Sequence, residues 1–352
     1  MDANFPLSLT FDDVLLEPRA SAVSRSEVSL ETNLTKKIRL KIPILAAAMD
    51  TLSEAEMGLA LGKLGGIAIL HRNCSIAEQV KMLKEVKRAK VLAGAAIGPG
   101  DIERARALDR AGADVIAIDT AHAHNLRVVE SAKKIKKIIR AQLIVGNIAT
   151  KEAAKELIKF ADAIKVGVGP GAICTTRVVA GVGVPQLSAI MNVVNIAKKR
   201  KIPVIADGGM RYSGDIVKAL AAGASSVMLG FLLAGTKEAP GKLLRIDGKL
   251  YKAFRGMGSL GAMESGKSSD RYFQKNAKIK IPEGIEGMVE YKGRLAKVTE
   301  QILGGLRSGM GYIGAKTIPE MWKQARFIRI TNAGLQESHP HSVIITKKAP
   351  NY

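Results

Sequence analysis

The chain has 352 residues, 47% of them hydrophobic, enough for one large domain or two ordinary ones with a filled core. No apolar run approaches the roughly 18 residues a membrane span needs, and the start MDANFPLSLTFDD lacks the basic-then-apolar pattern of a signal peptide, which points to a cytoplasmic protein. A formal charge of +22 attracts phosphates in general; the lysines are spread along amphipathic stretches such as SAKKIKKIIR and IAKKRKI and only 4% of residues are aromatic, which favours a solvated basic exterior over a nucleic-acid surface.

The first 42 residues carry an aromatic-acidic start, LTFDDVLLEP, and then a polar stretch, and read as a cap on the main domain. From residue 43 a rhythm begins. Short runs of small and β-branched residues recur, each followed by a helical pattern: PILAAA (43–48), GGIAIL (65–70), LAGAAIG (92–98), VIAID (115–119), LIVGNI (143–148), AIKVGVG (163–169), PVIADGG (203–209) and SVMLGF (226–231). Runs that are apolar at every position suit parallel strands buried on both faces. Eight such units predict an α/β protein of the (β/α)8 TIM-barrel class, with a doubly wound open sheet as the alternative.

Several of these runs finish in residues of little structural value: Met49-Asp50, His71, Asp119-Thr120, Asn147, Gly167 to Gly171, and Asp207-Gly208-Gly209. In a barrel they would meet at the C-terminal rim, where active sites are built. The longest connection follows the sixth strand, Pro170 to about Pro185, and presents Cys174; the two cysteines, Cys74 and Cys174, lack zinc-type spacing, so a free thiol nucleophile is the reading for this one. Asp207 is a natural acceptor for ribose hydroxyls, and Gly208 and Gly209 allow a phosphate close to the backbone, with Gly230 in a comparable place after the eighth strand. Beyond it, 252–293 is rich in Gly, Ser and charge, shows no strand-helix rhythm, and reads as a lid or flap; 294–352 reads as a final helical stretch and a tail.

Over nearly its whole length the chain resembles the inosine monophosphate dehydrogenases. The resemblance rests on ordered blocks: LTFDDVLLEP, AAMDT, GPGAICTTR, IADGG, RGMGSLGAM, SSDRYFQ, PEGIEG, GGLRSGMGYIGA and ESHPH. It implies oxidation of inosine monophosphate (IMP) to xanthosine monophosphate with NAD, in guanine nucleotide biosynthesis, through a covalent adduct on Cys174. It also implies hydrolysis of that adduct with Arg271 as base, helped by Tyr272 and Thr176. Substrate contacts implied in the same way are Met49, Ala172, Asp207, Gly208, Gly209, Gly230, Met257, Gly258 and Glu283; Asp119, Thr120, Asn147 and Gly167 would lie on the cofactor side. Carbonyls of Gly169, Gly171 and Cys174, joined by Glu337, Ser338 and His339 of an adjacent copy, would hold potassium in a homotetramer. The paired regulatory modules usual in the family are missing, since VKRAK (86–90) runs straight into VLAGAAIG.

Three positions depart from the family pattern: Ala172 replaces a serine, Phe231 a polar residue and Phe254 a tyrosine, all near the expected phosphate site. Either backbone amides and basic side chains hold the phosphate alone, which the intact loop and flap favour, or the ligand is less phosphorylated. The enzymatic alternative is guanosine monophosphate reductase, which shares barrel and cysteine but needs no hydrolytic arginine in the flap. A catalytically weak homologue with a nucleic-acid-binding surface is the alternative from another class.

Overall fold

The structure, a computed structural model, describes residues 5–265, 268–274, 277–347 and 349–350. The N-terminal segment contributes β1 (Val14–Leu16), β2 (Thr32–Asn33) and β3 (Arg39–Leu40), the last two pairing as a hairpin. The barrel then follows in strict alternation: β4 (Ile44–Ala46), α1 (Ala55–Lys63), β5 (Ile67–Leu70), α2 (Ile76–Arg88), β6 (Gly94–Ile97), α3 (Ile102–Arg110), β7 (Val115–Asp119), α4 (Leu126–Ile138), β8 (Gln142–Ile148), α5 (Lys151–Leu157) and β9 (Ala163–Val166). After it come a one-turn α6 (Thr176–Val179), α7 (Gln186–Ala197), β10 (Val204–Asp207), α8 (Ser213–Ala221), β11 (Ser226–Leu229) and the short α9 (Phe231–Ala234).

Seven of the eight strands fall inside the apolar runs that predict them, and β8 starts one residue before its run, at Gln142. Neighbours pair in parallel from β4 round to β11, and β11 returns to β4 through Val227 opposite Ile44, so the sheet is a closed barrel and the open-sheet alternative is excluded. Every residue of β5, β6 and β7 is buried, which is what strands covered by the barrel interior on one side and helices on the other require. Side-chain caps mark where helices begin: Ser75 and Glu78 form a reciprocal capping box on α2, and Asp101 and Thr150 accept amides of α3 and α5. Residues 89–93 alone connect α2 to β6, leaving no room there for an inserted module.

Beyond the barrel, the segment read as a lid or flap contains strands of a small sheet. Residues 243–255 form a hairpin, β12 (Leu243–Ile246) and β13 (Lys249–Arg255), and β13 also pairs antiparallel with β14 (Glu286–Glu290). Strand β12, LLRI, is mostly apolar in sequence yet exposed throughout, so no burial pattern announces it. Between β13 and β14 lie α10 (Leu260–Glu264) and a 3-10 turn, Ser269–Tyr272. The final helical stretch is two helices, α11 (Leu295–Tyr312) and α12 (Ile318–Gln324), parted at Gly314, whose φ of +72° a helix cannot accept. A last strand, β15 (Phe327–Arg329), pairs antiparallel with β1 and is followed by α13 (Asn332–Glu337), so the two ends of the chain are stitched together beside the barrel. Among the described residues no helix is long and apolar enough to cross a membrane.

Candidate active site

The C-terminal ends of the barrel strands open into one cavity. Its wall includes Met49 after β4, Asp119 at the end of β7, Asn147 in β8, Gly167, Gly169 and Gly171 after β9, Asp207 to Gly209 after β10 and Gly230 after β11. Cys174 and Thr176 line it from the loop, and Met257, Arg271, Tyr272 and Glu283 from the segment beyond the barrel. Ala172, Phe231 and Phe254 line it too. Residues spread over more than two hundred positions of sequence are thus brought to one place by closure of the barrel.

Cys174 is half-buried, with its sulfur 3.2 Å from the Thr176 hydroxyl and 3.7 Å from the Glu283 carbonyl. Its loop is held from outside. The Thr175 amide donates to the Glu283 carbonyl at 3.0 Å and the Ile285 amide to the Ile173 carbonyl at 3.0 Å, so residues 283–285 pair antiparallel with 173–175. From below, Arg177 donates to the carbonyls of Val168 at 3.0 Å and Val184 at 2.6 Å, closing the loop on itself. The Gly208 φ of +89° lets the β10 end pass within reach of Gly171: a β-carbon at residue 208 would stand 3.3 Å from the Gly171 nitrogen.

Beside the thiol lies a buried polar network centred on Lys165, a residue that the sequence reading left out. Its ammonium donates to Asp119 at 3.1 Å, to Asp207 at 2.6 Å and to the Asn147 side-chain oxygen. The Asn147 amide in turn donates to the Gly167 carbonyl at 2.7 Å and to Asp207 at 2.9 Å. A lysine 1% exposed inside a barrel strand must be paired to remain charged, and this one has two carboxylates. Its signal is present in AIKVGVG, where one cation interrupts a run that is otherwise apolar or glycine.

Arg271 reaches the other oxygen of Asp119 as an ion pair, and its Nε is buried without a hydrogen-bond partner among the described residues. Burial pushes its guanidinium below the ordinary arginine range, Arg72 adds to that, and Tyr272 opposes it. Burial raises the Tyr272 phenol, with Arg271 acting the other way. The 3-10 turn that carries both residues is fastened by its neighbour Asp270, which forms a two-pronged pair with Arg72 at 3.0 and 2.8 Å. A second strap joins Arg255 to Asp50 at 3.1 and 2.6 Å.

Some candidates lie off the wall. The Thr120 hydroxyl turns to the Gly146 carbonyl at 2.9 Å, and Thr120 is wholly buried. Gly258 lies under the Tyr272 ring and accepts the Glu283 amide at 2.9 Å. Glu337 ends α13, followed by Ser338 and His339, none of them on the cavity wall; the His339 ring lies 5.9 Å from that of Tyr212. Among the described residues no group of three or more His, Cys, Asp or Glu side chains is placed to hold a metal ion.

Residues 8–341 match the family described as the IMP dehydrogenase / GMP reductase domain. The inosine-5'-monophosphate dehydrogenase of Cryptosporidium parvum is 48% identical over 99% of this chain and 98% of its own length. Those of Methanocaldococcus jannaschii and Aquifex aeolicus are 43% and 42% identical, over 97% and 98% of this chain and 97% of each relative. The Methanocaldococcus alignment runs over 480 positions against 352 residues here, so that relative carries insertions this chain lacks. With a closed barrel, a cysteine loop at its rim and full-length likeness to these proteins, the chain belongs to the IMP dehydrogenase / GMP reductase family.

Proposed function

We propose that the protein oxidises IMP to xanthosine monophosphate with NAD in guanine nucleotide biosynthesis, using Cys174 as nucleophile. The observation that carries this reading is the seating of Cys174 between Thr176 and Glu283 in the same cavity as Asp207 and Arg271. The Cys174 thiolate adds to C2 of the hypoxanthine ring, forming a carbon–sulfur bond. The hydrogen on C2 leaves with its electron pair as hydride, for which bound NAD is the acceptor. Water then adds at C2, loses its protons, and the thiolate departs; IMP, NAD and water give xanthosine monophosphate, NADH and a proton.

Asp207, fixed by Lys165 and Asn147, orients the ribose, while Glu283 and Met49 flank the base. Arg271 holds or takes the proton of the attacking water; burial favours its neutral form, and the pair with Asp119 opposes that. Its unpartnered Nε fits a water or the amide of a nicotinamide on that side of the cavity. Carbonyl oxygens at Gly169, Gly171 and Cys174 are the hard neutral ligands a potassium ion takes; that of Gly171 already accepts the Cys174 amide at 3.0 Å, and an adjacent copy's Glu337, Ser338 and His339 would complete the set in a homotetramer.

The test is a steady-state assay in potassium buffer and in sodium buffer. IMP with NAD should yield NADH, with loss of turnover in Cys174→Ala and on removal of potassium. GMP with NADPH should give no oxidation; if it does while IMP with NAD fails, the protein is a reductase. Mass spectrometry with IMP and NAD should show a nucleotide on Cys174 that accumulates in Arg271→Ala.

A further inference from the structure

Polar groups of the cavity wall are tied to Lys165 and the thiol, and apolar ones close on Gly230. The wall carries Asp207, Asn147 and Arg271, and its side-chain hydroxyls among the described residues are those of Thr176, beside the thiol, and Tyr272. Around Gly230 the wall adds Phe231 and Phe254, with Met49 between them and the base and Ala172 on the cysteine loop. Phe254 is 3% exposed, and a β-carbon at Gly230 would stand 3.4 Å from the Met49 sulfur and 3.6 Å from the Phe254 ring, so these groups close on the glycine from two sides.

Two cations come near these residues, and both have partners. The cavity's one lining cation besides Arg271, among the described residues, is Arg211, and Arg211 pairs with Asp12 and lies 3.9 Å from Asp215. Lys292 sits against the Phe231 ring, 4.7 Å from its centroid, and donates to the Leu232 carbonyl at 3.5 Å. A ligand's 5' end, extending from a ribose on Asp207, therefore meets backbone amides and hydrocarbon. A phosphate dianion loses more hydration there than neutral amides return, and each missing charge-assisted hydrogen bond forgoes about tenfold or more in affinity. A 5'-hydroxyl loses little water and gains apolar contact.

We propose that the enzyme also accepts hypoxanthine nucleosides without a 5'-phosphate, and oxidises inosine to xanthosine by the same chemistry at Cys174. The balance is unchanged: hydride from C2 reduces NAD, the oxygen of water enters at C2, and thiolate and a proton are released. This rests on the dehydrogenase reading above and adds a substrate class to it.

The experiment compares kcat/KM for inosine and for IMP, each with saturating NAD, in one buffer. The ratio in favour of IMP should stay below about thirtyfold, and the triple variant Ala172→Ser, Phe231→Ser, Phe254→Tyr should raise it by about a hundredfold. A wild-type ratio above about thirtyfold overturns the proposal. So does an unchanged ratio in the triple variant, with folding verified by thermal melting. Phe254→Tyr alone, one added hydroxyl, serves if the triple variant does not fold, and should move the ratio in the same direction by about tenfold. Turnover of IMP but not inosine defeats this proposal and leaves the dehydrogenase reading intact; turnover of neither defeats both.

Discussion

Lys165 shows how one side chain joins the two halves of the site. Its ammonium binds Asp207 and also Asp119, the carboxylate with which Arg271 pairs, so a single buried cation ties the two together. Replacing it with methionine would leave the buried Asp207 carboxylate without its counter-ion and Asp119 with Arg271 alone. Lys165→Met should lose about 3–5 kcal/mol of stability by denaturant melting, and raise the KM for IMP because Asp207 no longer has a fixed position. Arg271 makes a prediction of its own. Burial lowers its pKa, so its neutral form grows as pH rises and the hydrolytic step should accelerate toward alkaline pH. In Arg271→Ala that alkaline rise should vanish, while the first burst of NADH in a stopped-flow trace persists.

At the scale of elements, the segment after β13 works through backbone pairing with the cysteine loop. Gly284 stands opposite Cys174, and a β-carbon there would come within 3.2 Å of both the Ile173 carbonyl and the Ser259 amide. Neither backbone group can swing away, so Gly284→Val should push residues 283–285 off the loop and lower kcat by about tenfold or more, with little change in the melting temperature because the barrel is untouched. The strap between Asp50 and Arg255 gives a pH signature. Burial alone would raise the Asp50 carboxyl, but hydrogen bonds from Arg255 and Asn73 outweigh it and hold it below the ordinary value of 3.8. A carboxyl depressed in the folded state adds stability that is full above its unfolded pKa and is lost as pH falls through the folded one. Wild type should therefore lose more melting temperature than Asp50→Asn between pH values of about 5 and 2.

For the whole molecule the charge of +22 is the dominant long-range term. Like charges repel in the compact state, and salt screens them over about 10 Å at 0.1 M. The melting temperature should rise when ionic strength is raised from about 0.01 to 0.15 M; a fall would mean that attractive pairs, such as Arg72–Asp270, dominate instead. If the basic exterior also binds nucleic acid, that binding should be salt-sensitive and unaffected in Cys174→Ala.

The barrel was legible because strands buried on both faces must be apolar at nearly every position, and eight such runs stand in the chain with helical segments between them. Cys174 was legible for the converse reason: a glycine-rich connection with a thiol has no structural purpose on so regular a scaffold. Strands β12 to β14 were not, since β12 is exposed throughout, β13 buries a lysine, Lys252, alongside Phe254, and the pairing of β13 with β14 joins residues 31 to 39 positions apart. Lys165 stood in plain view within AIKVGVG, yet whether a cation in a strand faces water or two carboxylates depends on which strands become neighbours. By itself the sequence determined the strands, the rim residues and the family blocks, all set by local pattern. Only the tertiary structure decided which charges share the cavity and which side chains close its far end, because electrostatics and packing act across distances that the chain must fold to create.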